Sequence, residues 1–176
     1  MTLPVLTVPA WVAVVVLAIT LIASDTDFRS RRIPNALTLS ALLVALVAHA
    51  LTGGWPSVQQ TLLGALVAGG LLLPGWMMGW MGAGDVKLMA AVGAWLTWPQ
   101  SLTATLVSLI AGGVFALAVA MRHKALGRSL RGALSMGMWA AVLPGRRGPS
   151  PAASELRFPF AAAIMAGSLI SLWVRL

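Results

Sequence analysis

Long apolar runs separated by short polar breaks make up most of the chain. A helix needs about 20 apolar residues to cross a bilayer, and six runs come near that length: Val8 to Ser24, Ala36 to Thr52, Thr61 to Trp80, Val86 to Trp98, Ser101 to Met121 and Phe158 to Val174. The breaks, among them TGGWPS and GAGD, are rich in glycine and proline and are typical of tight turns between antiparallel helices. The pattern predicts an all-α polytopic membrane protein with about six transmembrane helices in one domain over residues 1–176.

A different pattern occurs between the fifth and sixth runs. From Ala125 to Leu143, Leu126 and Leu130 fall on one helical face, whereas Arg128 and Arg131 fall on the opposite face. This spacing predicts an amphipathic helix that lies on the cytoplasmic leaflet. Such a helix could serve as a connector between spans or could contact a substrate.

Composition supports the membrane interpretation and removes several kinds of chemistry. Hydrophobic residues make up 59% of the chain and charged residues only 9%, against about 25% charged in soluble domains. The sequence contains no cysteine, which excludes disulfides and thiolate metal sites. His49 and His123 fall on opposite sides of the predicted membrane and belong to no H-E-x-x-H motif, so we expect no metal and no cofactor.

The basic residues are distributed unequally between the two predicted faces. Of the twelve Lys and Arg residues, all but Arg175 fall on one side of the predicted spans. By the positive-inside rule this side is cytoplasmic, which places both termini outside. The net charge of +8 therefore reflects orientation and contact with lipid phosphates, and we expect no nucleic-acid partner.

The four acids are the candidates for chemistry. Asp25, Asp27, Asp85 and Glu155 all fall on the predicted cytoplasmic side, and acids near spans often mark pathways or catalytic centres. Asp27 follows the first span and Asp85 separates the third from the fourth, so two hairpins bring them to the same face. Alternatively, both are boundary residues: Asp27 would pair with nearby arginines, and Asp85 would stabilise a helix N-terminus.

Two glycines precede Asp85. Gly82 and Gly84 flank Ala83, and residues without a β-carbon permit unusual torsions and the close approach of another chain. A peptide could lie against this backbone beside the carboxylate. The alternative is a flexible hairpin between spans.

With these residues in view, GAGDVKLMAAVGAW and DFRSRRIPNALTL together resemble the type IV prepilin peptidases, membrane aspartyl proteases with a G-x-G-D motif. In that family one catalytic aspartate lies seven residues before the proline of an I/L-P-N/D element, and the other ends G-x-G-D. The resemblance implies that Asp27 and Asp85 are catalytic and gives Asp25 no catalytic role. It also implies five motif-supporting residues: Gly82, Gly84, Lys87, Pro34 and Asn35.

The resemblance further implies a function for the single membrane-embedded peptidase domain. A member of the family would remove the short basic leader from a prepilin or pseudopilin precursor at the cytoplasmic face of the bacterial inner membrane. Longer, bifunctional members carry paired C-x-x-C elements before the first span and also methylate the pilin. This chain starts almost at once with a span and has no cysteine, so we expect the short, peptidase-only type of tight-adherence (Flp) pilus systems.

The two aspartates are expected to differ in charge. An aspartyl protease needs two carboxyl groups that share one proton. Asp27 follows a helix C-terminus, whose dipole disfavours ionisation, whereas Asp85 precedes a helix N-terminus, whose dipole favours it. The hypothesis is that Asp85 is the ionised base and Asp27 the protonated acid.

Two other functions remain open from the residues themselves. Intramembrane acids and glycine-broken helices also serve small proton-coupled or ion-coupled transporters. A non-catalytic subunit of a pilus or secretion machine could use the same boundary acids to hold its helices together.

Overall fold

The computed structural model describes residues 8–78, 80–122 and 160–173, and these form five helices without any strand. The helices are α1 (Ala10–Ser30), α2 (Asn35–Met77), α3 (Ala83–Leu96), α4 (Gln100–Arg122) and α5 (Phe160–Ser171). The all-α fold class is therefore confirmed. The predicted amphipathic helix Ala125 to Leu143 lies outside the described residues.

The first helix is longer than its apolar run. It was predicted to end at Ser24, but α1 continues to Ser30 and ends at Arg31, which has a left-handed φ of 50°. The additional turn is polar and is supported by an ion pair from Arg29 Nε to Asp25 Oδ1 at 2.8 Å, the i,i+4 spacing that stabilises helices. Asp27 therefore lies within the helix and not after it.

The second and third predicted spans are the two arms of α2, which are separate helices joined at a kink. Gly54 has φ 62° and ψ −156°, which interrupts α2 at the break predicted from TGGWPS. The Thr61 hydroxyl lies 2.7 Å from His49 Nδ1, although a straight helix would place residues 12 apart about 18 Å from each other. The chain thus reverses at Gly54, and residues 35–53 and 55–77 form a hairpin.

Helix α3 lies between the two arms of α2. On one side Trp95 Nε1 donates to the Ala41 carbonyl at 3.0 Å. On the other side Gly93 and Gly64 meet so closely that a β-carbon on Gly64 would lie 2.3 Å from the Gly93 carbonyl oxygen. Small residues allow membrane helices to approach in this way. Trp95 is only 3% exposed, so it is a core residue.

Helices α4 and α5 form a second antiparallel pair. The Gln100 amide donates to the Ser171 carbonyl at one end, and Phe160 lies against Gly112 at the other. Between them, a β-carbon on Gly167 would collide with the backbone nitrogen of Ser108 at 2.4 Å. The last predicted span, Phe158 to Val174, corresponds to α5.

The prediction of six spans is not confirmed. Among the described residues, three helices are long and apolar enough to cross a membrane: Ala10–Ser30, Asn35–Met77 and Gln100–Val119. The two arms of α2 form one of these three, with 43 residues, and α3 and α5, with 14 and 12 residues, are shorter than about 20. A helix packed between other helices, as α3 is, does not need the length of a lipid-facing span.

The bundle has two chemically different ends. Trp11 of α1 contacts His49 and Trp95 with ring centroids 6.2 and 5.9 Å apart, and these residues define the aromatic end. Because α1 and α3 run antiparallel, their other termini meet at the opposite end. Asp27 and Asp85 lie there, and they define the acid end.

Candidate active site

Asp27 lies in the last turn of α1 and is half-buried. Its backbone carbonyl accepts the Arg31 N–H at 2.8 Å, which closes the helix. Its carboxyl group lies within hydrogen-bonding range of the Ala161 backbone amide in the first turn of α5 and close enough to Arg31 for an electrostatic interaction. The start of α5 and the residue that ends α1 therefore both lie beside this carboxyl group.

Asp85 lies in the first turn of α3 and is only 8% exposed. Its Oδ2 accepts the Gly82 N–H at 2.9 Å, and its own N–H donates to the Gly82 carbonyl at 3.2 Å. These reciprocal bonds resemble a capping box. They fix the carboxyl group at the start of the helix.

Burial determines the charge preference of Asp85. Desolvation raises its pKa to about 6, the nearby Asp27 also raises it, and the Gly82 hydrogen bond opposes both. The helix dipole led us to expect the ionised form, but removing a carboxylate from water costs more than the dipole and one N–H recover. Burial therefore opposes the effect of the helix dipole on Asp85, and which of the two aspartates holds the shared proton stays a prediction.

The acid end brings Asp27 and Asp85 together but leaves Asp25 apart. Asp27 acts electrostatically on Asp85, as the predicted topology requires. Asp25 forms an ion pair with Arg29 in which both side chains are more than half exposed. Glu155 lies outside the described residues.

The two glycines of the G-x-G-D motif serve close approach and not unusual torsions. Gly82 has φ −78° and ψ 153°, which any residue can adopt, and Gly54 is the single described glycine with positive φ. A β-carbon on Gly84 would lie 3.2 Å from Ile33 Cβ, and one on Gly82 would lie 3.3 Å from Asp85 Oδ2. The chain that approaches Gly84 is therefore the protein's own I-P-N element.

The other motif-supporting residues lie in the same place. Pro34 precedes α2 with φ −62° and ψ 131°, and Asn35 is the first residue of that helix. The Lys87 ammonium donates to Asn35 Oδ1 at 2.9 Å, across 52 residues of sequence. The sequence placed each residue in a motif but did not predict that the two would bond.

Sequence reasoning also missed Ile33 and Ala161. Ile33 could have been noticed as the apolar residue of the I-P-N element, whereas nothing near Ala161 indicated that its backbone amide would lie beside Asp27. No group of three or more His, Cys, Asp or Glu residues within the described ranges could hold a metal ion.

The chain is similar in sequence to a known protein family. Residues 14–117 match the model of the type IV leader peptidase family. The chain is 34% identical over 117 residues to a prepilin leader peptidase/N-methyltransferase of Pectobacterium carotovorum subsp. carotovorum, covering 61% of this chain and 40% of that protein.

Two more proteins with the same description are similar. One, from Aeromonas salmonicida strain A449, is 31% identical over 153 residues, covering 78% of this chain and 51% of that protein. The other, from Escherichia coli strain K12, is 32% identical over 129 residues, covering 68% and 54%. The chain thus spans about half the length of the curated relatives it matches. No solved structure matches it significantly.

Proposed function

Because the chain belongs to the type IV leader peptidase family, we propose that it is a prepilin leader peptidase. Asp27 and Asp85 form its catalytic pair and hydrolyse the peptide bond that joins a short basic leader to a type IV pilin-like precursor. The observation that carries this proposal is the acid end itself. There, a carboxyl group that is 8% exposed lies within electrostatic range of a second acid on a different helix.

The chemistry follows from the unequal environments of the two acids. A buried carboxyl group with a pKa of about 6 readily keeps the proton that the pair shares. Asp85 therefore acts as the acid, and the more exposed Asp27, which water reaches more easily, acts as the base. This assignment reverses the one that helix dipoles suggested.

In the proposed reaction Asp27 accepts a proton from a water molecule whose oxygen attacks the scissile carbonyl carbon. Asp85 donates its proton to the carbonyl oxygen as the tetrahedral intermediate forms. Collapse of the intermediate breaks the C–N bond as the proton held by Asp27 passes to the leaving amine, and one hydroxyl group of the intermediate returns its proton to Asp85 as the new carbonyl forms. One water molecule is consumed, and the pair returns to sharing one proton.

The charges around the pair favour the cytoplasmic face as the place of cleavage. Arg29, Arg31, Arg32 and Lys87 lie at the acid end, which by the positive-inside rule faces the cytoplasm. The substrate would be a prepilin or pseudopilin precursor whose hydrophobic helix lies in the membrane beside the bundle. Lipid phosphates near the arginines would reduce their repulsion of a basic leader. The Flp-type substrate class rests on the sequence resemblance alone, and methylation is not part of the proposal.

The proposal is tested by co-expression with a candidate Flp-type prepilin, followed by measurement of leader removal. Asp27→Asn and Asp85→Asn should each lower the rate at least about a hundredfold, because general acid–base catalysis contributes about 10² to 10⁴. Asp25→Asn is the matched control, since this exposed acid pairs with Arg29, and it should cleave at the wild-type rate. Full cleavage by either of the first two variants, with normal membrane insertion, would contradict the catalytic pair.

A further inference from the structure

Two contacts join the I-P-N element to the first turns of α3. Ile33 packs against Gly84, where a β-carbon would come within 3.2 Å of Ile33 Cβ. Just beyond it, Lys87 Nζ donates to Asn35 Oδ1 at 2.9 Å. The first contact is apolar and non-directional, whereas the second is a charge-assisted hydrogen bond with a defined geometry.

Lys87 is poorly placed to act on Asp85 directly. Residues two apart in a helix lie about 200° apart around its axis and do not face each other. Among the described residues, Lys87 forms no ion pair with any acid, and its recorded bond is to a neutral amide. Neutralising the charge of the catalytic pair is therefore not its evident role.

The Asn35 end of this bond is connected to Asp27 by a short stretch of chain that contains two hydrogen bonds. The Arg31 N–H donates to the Asp27 carbonyl, and the Ser30 hydroxyl lies 3.2 Å from the Arg32 carbonyl. Asn35 begins α2 directly after Pro34, whose ring restricts its φ. Displacing Asn35 from α3 would consequently move the end of α1 that carries Asp27.

We propose that Lys87 and Asn35 are positioning residues whose hydrogen bond sets the separation of Asp27 and Asp85. Lys87 acts through Asn35 and does not contact the reacting atoms. The functional consequence rests on the proposed peptidase activity, but the positioning itself is a geometric property that can be measured without catalysis.

The absence of cysteine allows a direct test of positioning by cross-linking. The acid-end pair is Asp27→Cys with Asp85→Cys, treated in membranes with a short bifunctional thiol reagent. The control pair is His49→Cys with Thr61→Cys, because these side chains lie 2.7 Å apart at the aromatic end. Each pair is examined alone and combined with Lys87→Met or Asn35→Leu.

We expect Lys87→Met and Asn35→Leu each to lower cross-linking of the acid-end pair severalfold and to leave the control pair unchanged. Lys87→Arg and Asn35→Asp should retain cross-linking, because each keeps a donor or an acceptor at the same place. Unchanged cross-linking of the acid-end pair would overturn the proposal. Equal losses in both pairs would also overturn it, since the bond would then support the whole fold.

Kinetics supply a second readout in the chain with both aspartates present. Lys87→Met and Asn35→Leu should each lower kcat about tenfold with little change in KM, and the double variant should be no slower than either one. A rise in KM with unchanged kcat would show that Lys87 binds substrate instead, which contradicts positioning. If Asp27→Asn proved active, the peptidase mechanism would fail, while the cross-linking result would still decide the positioning question.

Discussion

The two ends of the bundle bury titratable groups in opposite ways. At the aromatic end, His49 is 7% exposed, bonded to Thr61 and in tilted ring contacts with Trp11 and Trp95. At the acid end, Asp85 is equally buried, but it accepts one recorded N–H and has a second acid within electrostatic range. The first arrangement satisfies its polar group, whereas the second leaves a carboxyl group ready to exchange a proton.

Cavity volume alone points to the wrong end. A cavity of about 360 Å³ lies at the aromatic end, between Trp11, His49 and Trp95 and the kink near Gly53. The described residues that line it include no acid, and its one titratable side chain, His49, is already bonded to Thr61.

The largest expected effect is on the rate of leader removal, which should depend on the acid end and not on the aromatic end. Asp85→Asn should lower leader removal at least about a hundredfold, whereas His49→Phe should change it less than about twofold, because its ring lies far from the acids. The measurement is the initial rate of prepilin cleavage in membranes at matched enzyme levels. A comparable loss in His49→Phe would show that the aromatic end takes part in catalysis.

The next effect concerns stability and follows from the sign of the Asp85 shift. A folded-state pKa raised from 3.8 to about 6 means that the folded protein is stabilised below about pH 4 and loses this contribution as the pH rises through about 6. Asp85→Asn should therefore stabilise the protein at neutral pH, by up to about 3 kcal/mol. Thermal unfolding in detergent from pH 4 to 8 measures this difference.

Two outcomes bear on that prediction. The gain should disappear toward pH 4, where wild-type Asp85 is protonated as well. Asp25→Asn, which changes an exposed acid, should give no such pH-dependent gain. A lower stability of Asp85→Asn at neutral pH would contradict the prediction. It would show that the folded protein requires the buried Asp85 carboxyl group for its stability.

A smaller effect tests the contact between the two motifs. Gly84→Ala would place a β-carbon 3.2 Å from Ile33 Cβ, so Ile33 must shift by a few tenths of an ångström. Cleavage should fall about tenfold, roughly 1.4 kcal/mol of barrier, and Ile33→Ala should restore part of it in the double variant. Gly70→Ala is the control, because no atom lies within 4 Å of its β-carbon position.

The smallest expected effect is a loss of stability on removing a hydrogen bond at the aromatic end. Thr61 also donates its hydroxyl to the Ser57 carbonyl at 2.9 Å, so its oxygen accepts the His49 Nδ1 proton. Thr61→Val should leave this buried N–H without a partner and lower the free energy of unfolding by about 1 kcal/mol. Cleavage should remain unchanged, and a large loss of activity would contradict the functional separation of the two ends.

The sequence predicted the position of the two acids better than the bounds of the helices that carry them. The spacing of Asp27 to Pro34 and the G-x-G-D motif placed both acids at one face, because helical hairpins leave few alternatives. It missed the last turn of α1, since hydropathy does not detect a turn held by Asp25 and Arg29. Its six spans are not confirmed, because an apolar run does not reveal whether lipid or protein surrounds it.

The charge of Asp85 and the hydrogen bond between Lys87 and Asn35 could not be predicted either, because both depend on how the helices pack. Burial depends on which helices pack around a residue, and this packing reversed the direction that the α3 dipole alone suggested. The bond between Lys87 and Asn35 joins residues 52 apart, and each of them is exposed. No local pattern indicates such a contact.

The central claim is that Asp27 and Asp85 act as one catalytic unit. The most direct measurement is the rate of leader removal from a purified Flp-type prepilin by Asp27→Asn, Asp85→Asn and the double variant, each reconstituted in lipid. Because residues that act together lose activity non-additively, all three rates should fall to the same residual level. Cleavage at the wild-type rate by either single variant would contradict the account.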